Sequence, residues 1–137
     1  MAQGLGTFIL ALWLSAMLVG CGSIAPSGQP APMPGVVVTV RVADAEEYRI
    51  RLTDPVDIAV ARKLVAGEAA PGIPDGRVVR GEPDVNVGYS WHIDPDSLEF
   101  ADTAIEVCDG RPSDVEKGVI TSDRYCPWSA KVVAITP

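Results

Sequence analysis

The chain has 137 residues, and its 18 acidic and 11 basic side chains give a formal net charge of −7 at pH 7. This acidity argues against the basic surface that nucleic-acid binding needs, and it disfavours electrostatic attraction to anionic lipid. The length is sufficient for one ordinary domain with its own hydrophobic core. We therefore expect a single acidic domain with no nucleic-acid partner.

Residues 1–20 have the pattern of a lipoprotein signal peptide. Their apolar run is shorter than the about 20 apolar residues of a membrane-spanning helix, and it matches the apolar segment of a secretory signal. The run ends in Leu18-Val19-Gly20-Cys21, which resembles a bacterial lipobox. The resemblance implies that Cys21 carries acyl chains such as palmitate and anchors the protein outside the cytoplasm, in the membrane of the cell envelope. An uncleaved membrane anchor and a plain signal peptide are the alternatives.

A tether and a folded unit are predicted to follow the signal. Residues 21–35 are rich in proline and glycine and carry no charge, so we expect them to hold the domain away from the membrane. A single globular domain is then predicted for residues 36–137. It begins with valine at alternate positions from Val36 to Val42, which predicts a strand, and Tyr48 to Leu52 continues as the second strand of a hairpin.

The next element is predicted to be the principal helix. Asp54 and Pro55 have the types preferred at the cap and the first position of a helix, which we expect to end before Gly67. Its apolar face is expected to pack on the sheet. That face is predicted to contain Val56, Ala59, Val60 and Leu64.

The second half of the chain is predicted to contain several short strands. After a loop over residues 69–76, strands are expected at 77–81, 89–93, 98–102, 104–108 and 131–136, with a short capped helix after Pro112. The overall prediction is an α+β fold with a small antiparallel or mixed sheet, one principal helix and one disulfide. A helix-capped β-sandwich is the alternative.

Two cysteines remain if Cys21 is acylated. Cys108 and Cys126 form an even pair in an oxidising compartment, which favours a structural disulfide. Two free thiols, or half of a metal site, are the other interpretations.

Three long motifs mark the C-terminal half, namely Trp91–Asp102, Ala104–Gly110 and Tyr125–Ser129. Together they resemble a family of small secreted bacterial domains, some of which carry a name derived from a calmodulin-binding protein. The resemblance covers most of residues 36–137, and it implies no established catalytic activity. Members of the family often have tryptophan where this chain has Tyr125.

One histidine is the candidate for general-base chemistry. His92 has Asp94 and Asp96 close behind it, and an aspartate that orients an imidazole would support a small hydrolase. Residues 92 and 94 share a face of any strand, so the spacing also arises without catalysis, and a hydrogen-bonded structural histidine is the favoured interpretation.

Eight acidic residues lie between Asp94 and Glu116, against one arginine. Such a density of carboxylates can bind calcium, and Asp94, Asp96 and Glu99 are the candidate ligands of a calcium-stabilised adhesion domain. The favoured interpretation is that these carboxylates lie on solvated faces and cap turns. We expect no cofactor other than calcium.

Aromatic side chains give the last candidate site. Tyr89, Trp91, Phe100 and Trp128 could line a surface for a protein, peptide or glycan. Packing of the two tryptophans in the core is the alternative that we favour. Since the sequence contains no complete catalytic motif, we expect a lipid-anchored binding module rather than an enzyme.

Overall fold

The computed structural model describes residues 35–137, so the predicted signal peptide, the lipidated Cys21 and nearly all of the tether lie outside the described residues. The described elements are, in chain order, β1 (Val36–Val42), β2 (Glu46–Leu52), α1 (Pro55–Val65), β3 (Ile73–Arg80), β4 (Trp91–Ile93), a 3₁₀ turn (Pro95–Ser97), β5 (Glu99–Ala101), a second 3₁₀ turn (Glu106–Cys108), α2 (Pro112–Glu116), β6 (Arg124–Tyr125) and β7 (Ala130–Thr136). The predicted α+β class is confirmed, with two antiparallel sheets in place of the single sheet expected. Neither described helix has the length and apolar character needed to cross a bilayer.

The first sheet has the strand order β2-β1-β7. Val38, Val40 and Val42 of β1 are buried and Val36 is half-buried, as the alternation predicts, because successive side chains of a strand point to opposite faces. Val37 pairs with Thr136 and Val42 pairs with Ala130, so β7 runs antiparallel to β1 from Val37 to Val42.

A bulge in β7 preserves the apolar face of this sheet. Val40 pairs with Val132, but Thr39 pairs with Ala134, so Val133 is an extra residue on the β7 side. The extra residue shifts the alternation by one position. As a result Val132, before the bulge, and Ile135, after it, both pack against the core.

The second sheet is built around β3. The start of this strand pairs with β5, its middle with β6 and its end with β4. The loop predicted for residues 69–76 is therefore wrong from Ile73 onward. The types of Pro74 and Gly76 indicate a loop, but Gly76 has a different role. A Cβ atom at this position would clash with the side chain of Ile93, so close packing requires glycine here.

Helix α1 begins where the sequence predicts, and its buried face is rotated from the predicted one. Asp54 accepts a hydrogen bond from the backbone N–H of Val56 at 2.7 Å, which satisfies a free donor of the first turn. Ala61 is the fully buried residue, and Ile58 packs against the core. The prediction is wrong for Val56, which is 71 % exposed, and for Ala59, which is also exposed, because the helix packs against the core through the side that carries Ile58 and Ala61.

The strand predicted for residues 104–108 is also wrong. This segment forms a loop and a 3₁₀ turn instead, and its apolar side chains Ile105 and Val107 face solvent. The capping box of helix α2 begins at Arg111, two residues before the predicted Ser113, since the backbone N–H of Arg111 donates to Asp114. The carboxylate of Glu46 accepts hydrogen bonds from Ser113 N and Oγ and so fixes α2 to β2.

Three aromatic rings join the two sheets into one core. Tyr48 from β2, Trp91 from β4 and Tyr125 from β6 are almost completely buried. Their ring centroids lie 5.3 to 5.7 Å apart in tilted or edge-to-face pairs, the arrangement that aromatic quadrupoles favour.

A buried amide bonds the two sheets at their edges. Asn86 is fully buried in the loop before β4. Its Oδ1 accepts from the backbone N–H of Arg49 in β2, and its Nδ2 donates to the carbonyl oxygen of Trp91 in β4, both at 2.9 Å. Each bond occupies a backbone group that would otherwise be left without a partner.

Candidate functional site

His92 lies on β4 with its ring bonded to the backbone. Its Nδ1 is 2.7 Å from the carbonyl oxygen of Glu82, so this nitrogen carries the proton when the ring is neutral. Among the hydrogen bonds of residues 35–137, none joins His92 to Asp94 or Asp96. Among the described residues, the base-orienting contact that the hydrolase hypothesis requires is therefore not formed.

Asp94 is bound to Arg77 instead. The arginine side chain on β3 donates a hydrogen bond to one carboxylate oxygen, and the other oxygen accepts from the backbone N–H of Asp96. The hydrogen bond from Arg77 lowers the pKa of Asp94 below its ordinary value. Asp94 thus caps the 3₁₀ turn and holds it to β3, which is a structural role.

The acidic side chains do not converge on a common point. Within residues 35–137, no group of three or more His, Cys, Asp or Glu residues is arranged to hold a metal ion. Glu99 faces Arg124 at 3.8 Å, and Asp96 opens on a shallow pocket together with Asp54 and Asp57. Burial is the main factor that raises the pKa of Asp57. The calcium hypothesis remains a prediction without a described ligand set.

The four aromatic candidates separate by exposure. Trp91 is 1 % exposed and belongs to the core, so the candidate surface does not include it. Tyr89 and Phe100 are half-buried and pack against that core. Trp128 is 48 % exposed and is the one candidate with a large free ring surface.

Trp128 lies next to the cysteine pair. Cys108 and Cys126 are at disulfide distance, with Cα atoms 5.1 Å apart, in agreement with the predicted bridge. The backbone N–H of Cys126 donates to the carbonyl oxygen of Cys108, and that of Trp128 donates to Asp109 Oδ1 at 2.8 Å. Cys108 and Asp109 are thereby held beside the segment from Cys126 to Trp128.

Three large apolar side chains near the cysteine pair are exposed. Ile105 is 66 % exposed and Val107 is 67 % exposed on the segment that leads into Cys108, and we call these two residues together with Trp128 the Trp128 ridge. Beside the ridge lies a pocket of about 260 Å³, which we call the Trp128 pocket. It is lined by Ile73, Asp102, Thr103, Ala104 and Trp128.

Sequence reasoning identified Trp128 but missed the aliphatic members of the ridge. The prediction of a central strand over residues 104–108 rests on the apolar composition of this segment, and it would bury Ile105 and Val107. The signal against that assignment was Glu106 between them, since a carboxylate inside a central strand would need a buried partner.

The fold defines the class of the protein, a small α+β domain in which two antiparallel sheets share one core beside a cysteine pair at disulfide distance. Within that class, the chain belongs to the family of BP-74 N-terminal domains, whose family model matches residues 35–137. This match confirms the resemblance to a family of small domains that the motifs predicted. No curated protein and no solved structure gives a significant match to the chain.

Proposed function

We propose that this protein is a lipid-anchored, extracytoplasmic binding module that holds a protein or peptide at the Trp128 ridge. The acylated Cys21 would attach it to the membrane, and residues 21–35 would connect the anchor to the domain. The observation that carries the proposal is the exposure of three large apolar side chains on two segments fixed by the cysteine pair.

An exposed and immobilised apolar ridge has the properties of a binding site. Contiguous apolar surface on a soluble domain marks an interaction site, because solvating it is unfavourable. Tryptophan is among the residues that contribute most to binding when an interface covers them. Since the ridge is already held by the cysteine pair and by the bond from Trp128 to Asp109, little conformational entropy would be lost on binding.

The position of the ridge suits a module attached through its N-terminus. Gly35 precedes the first residue of β1, whereas the backbone N–H after its last residue, at Ala43, donates to Ser129 Oγ next to Trp128. A seven-residue strand spans about 20 Å. The ridge therefore lies at the end of β1 away from the tether, where a partner could approach it.

Affinity capture from envelope extract tests the proposal, with the full chain in a neutral detergent as bait. Wild type is compared with Trp128→Ala and with Val87→Ala, because Val87 is 72 % exposed in the loop before β4 and controls for loss of apolar surface elsewhere. We expect one partner to bind wild type and Val87→Ala and to lose at least tenfold in recovery with Trp128→Ala.

Two further samples separate the rival functions. His92→Ala should retain the partner, whereas a hydrolase would lose turnover of a substrate with this variant. Removal of calcium should leave recovery unchanged. Equal recovery by Trp128→Ala and wild type would contradict the proposal.

A further inference from the structure

The Trp128 pocket combines apolar walls with one acidic side chain. Ile73, Ala104 and Trp128 supply the apolar surface, and Asp102 and Thr103 supply the polar groups. A pocket of about 260 Å³ has space for one long side chain. Its chemistry suits a side chain that is apolar along most of its length and positively charged at its end.

The carboxylates around the ridge are among those of residues 35–137 that no arginine or lysine neutralises. Four aspartates elsewhere lie within 4.0 Å of an arginine or lysine nitrogen, namely Asp44, Asp75, Asp84 and Asp94. No ion pair of the described residues includes Asp102, Glu106 or Asp109. The apolar ridge therefore lies within a field of uncompensated negative charge.

We infer that the Trp128 pocket binds an arginine or lysine side chain carried on an apolar segment of the partner. The inference rests on the proposed function and narrows it to a class of ligand. The methylene stem would pack on Ile73, the cation would lie against the face of Trp128, and its hydrogen-bond donors would reach Asp102. An acidic segment would be repelled by the same carboxylates.

Short peptides of one design measure this preference directly. They have the sequence Gly-Leu-X-Leu-Gly with blocked ends and a fluorescent label, and X is arginine, citrulline, lysine or glutamate. Citrulline has the shape of arginine without its charge. Fluorescence anisotropy with the full chain in neutral detergent should give about tenfold tighter binding for the arginine peptide than for the citrulline peptide, because citrulline makes neither the cation–π contact with Trp128 nor the ion pair with Asp102. The glutamate peptide should bind most weakly.

Variants assign the preference to this pocket. Asp102→Asn should reduce the preference for arginine over citrulline to about threefold, because the ion pair is lost while the cation–π contact with Trp128 remains. Asp102→Lys should make the glutamate peptide the preferred one. Glu82→Gln is the matched control, because Glu82 is an exposed carboxylate beyond the opposite end of β3 from Ile73. Trp128→Leu should weaken every peptide, and circular dichroism of each variant confirms that the fold is retained.

Equal binding of the arginine and citrulline peptides to wild type would overturn the inference, as would an unchanged preference in Asp102→Asn. Self-association of the chain that Trp128→Leu abolishes would also overturn it, by identifying a second copy as the occupant. If capture from extract still depends on Trp128 while the peptides show no preference for charge, the inference fails and the proposed function stands. If capture does not depend on Trp128 either, both fail.

Discussion

Replacement of Asn86 by alanine should destabilise the domain more than a single polar substitution usually does. The change removes two hydrogen bonds of 2.9 Å and leaves the carbonyl oxygen of Trp91, which is buried, and the backbone N–H of Arg49, which is part-buried, without their partner. A net contribution of about 1 kcal/mol for each bond, with an added desolvation penalty for the two groups, gives a loss of about 3 kcal/mol in the free energy of unfolding. For a domain of this size, the midpoint of thermal unfolding should fall by about 15 °C.

Thermal unfolding followed by circular dichroism measures this loss, and Asn86→Asp identifies its cause. An introduced carboxylate keeps an acceptor for the N–H of Arg49 but cannot donate to the carbonyl oxygen of Trp91. Its protonated form can donate, so its pKa should be raised by folding. The free energy of unfolding of Asn86→Asp should therefore be closest to that of wild type in acid, and the difference should grow as pH rises above about 4. A deficit below about 1 kcal/mol for Asn86→Ala, or one for Asn86→Asp that does not change with pH, would refute the reasoning.

Four other perturbations have defined outcomes. Gly76→Ala should lower the free energy of unfolding by about 2 kcal/mol, because the added methyl group overpacks against β4. Gly72→Ala should be neutral or slightly stabilising, because a Cβ atom there meets no neighbour. Similar losses for both variants in urea unfolding would contradict the packing argument. Cys108→Ala combined with Cys126→Ala should cost about 3 kcal/mol in the same assay, and no loss would mean that the bridge does not restrict the unfolded chain. Burial is the main reason that the pKa of all three tyrosines is raised, so stability should hold below their ordinary value of about 10 and fall above it. Tyrosinate absorbance from the two buried residues, Tyr48 and Tyr125, should rise only as the protein unfolds. Asp94→Asn should make the loss of stability in acid shallower, because a carboxyl with a lowered pKa stabilises the fold at pH values above its ordinary pKa and loses that effect as pH falls. At neutral pH the change in the free energy of unfolding should not exceed about 1 kcal/mol, since the arginine partner is exposed. If the melting temperature falls in acid as steeply in the variant as in wild type, the result would count against the ion pair.

The first third of the domain could be predicted because its signals are local. Strict alternation defines β1, and Asp54 with Pro55 defines the start of α1, so neither needs information from distant residues. The rotated face of α1 shows where such reasoning ends. Val56 is apolar and in phase with the stripe, but the neighbouring strands contact the helix through Ile58 and Ala61.

The errors in the second half arise from tertiary context. Ile73 to Gly76 form a strand only because β5 and β6 pair with them, and the sequence of that segment carries a proline and a glycine. Residues 104–108 have the composition of a buried strand, but the contact between Cys108 and Cys126 holds them in a loop. Tertiary context also limits prediction of the candidate site. Trp128 could be predicted from its residue type, whereas the exposure of Ile105 depends on the fold around it.

The antiparallel pairing of β1 with β7 has a mechanical consequence. The tether would pull on β1 at its first residue, and a partner bound at Trp128 would pull on β7 just before its first residue. These two points lie at opposite ends of the same ladder of hydrogen bonds. A force between them acts along the strands and loads all the rungs together, so that they cannot break one after another. This loading geometry would let the domain resist tension between the membrane and a captured partner.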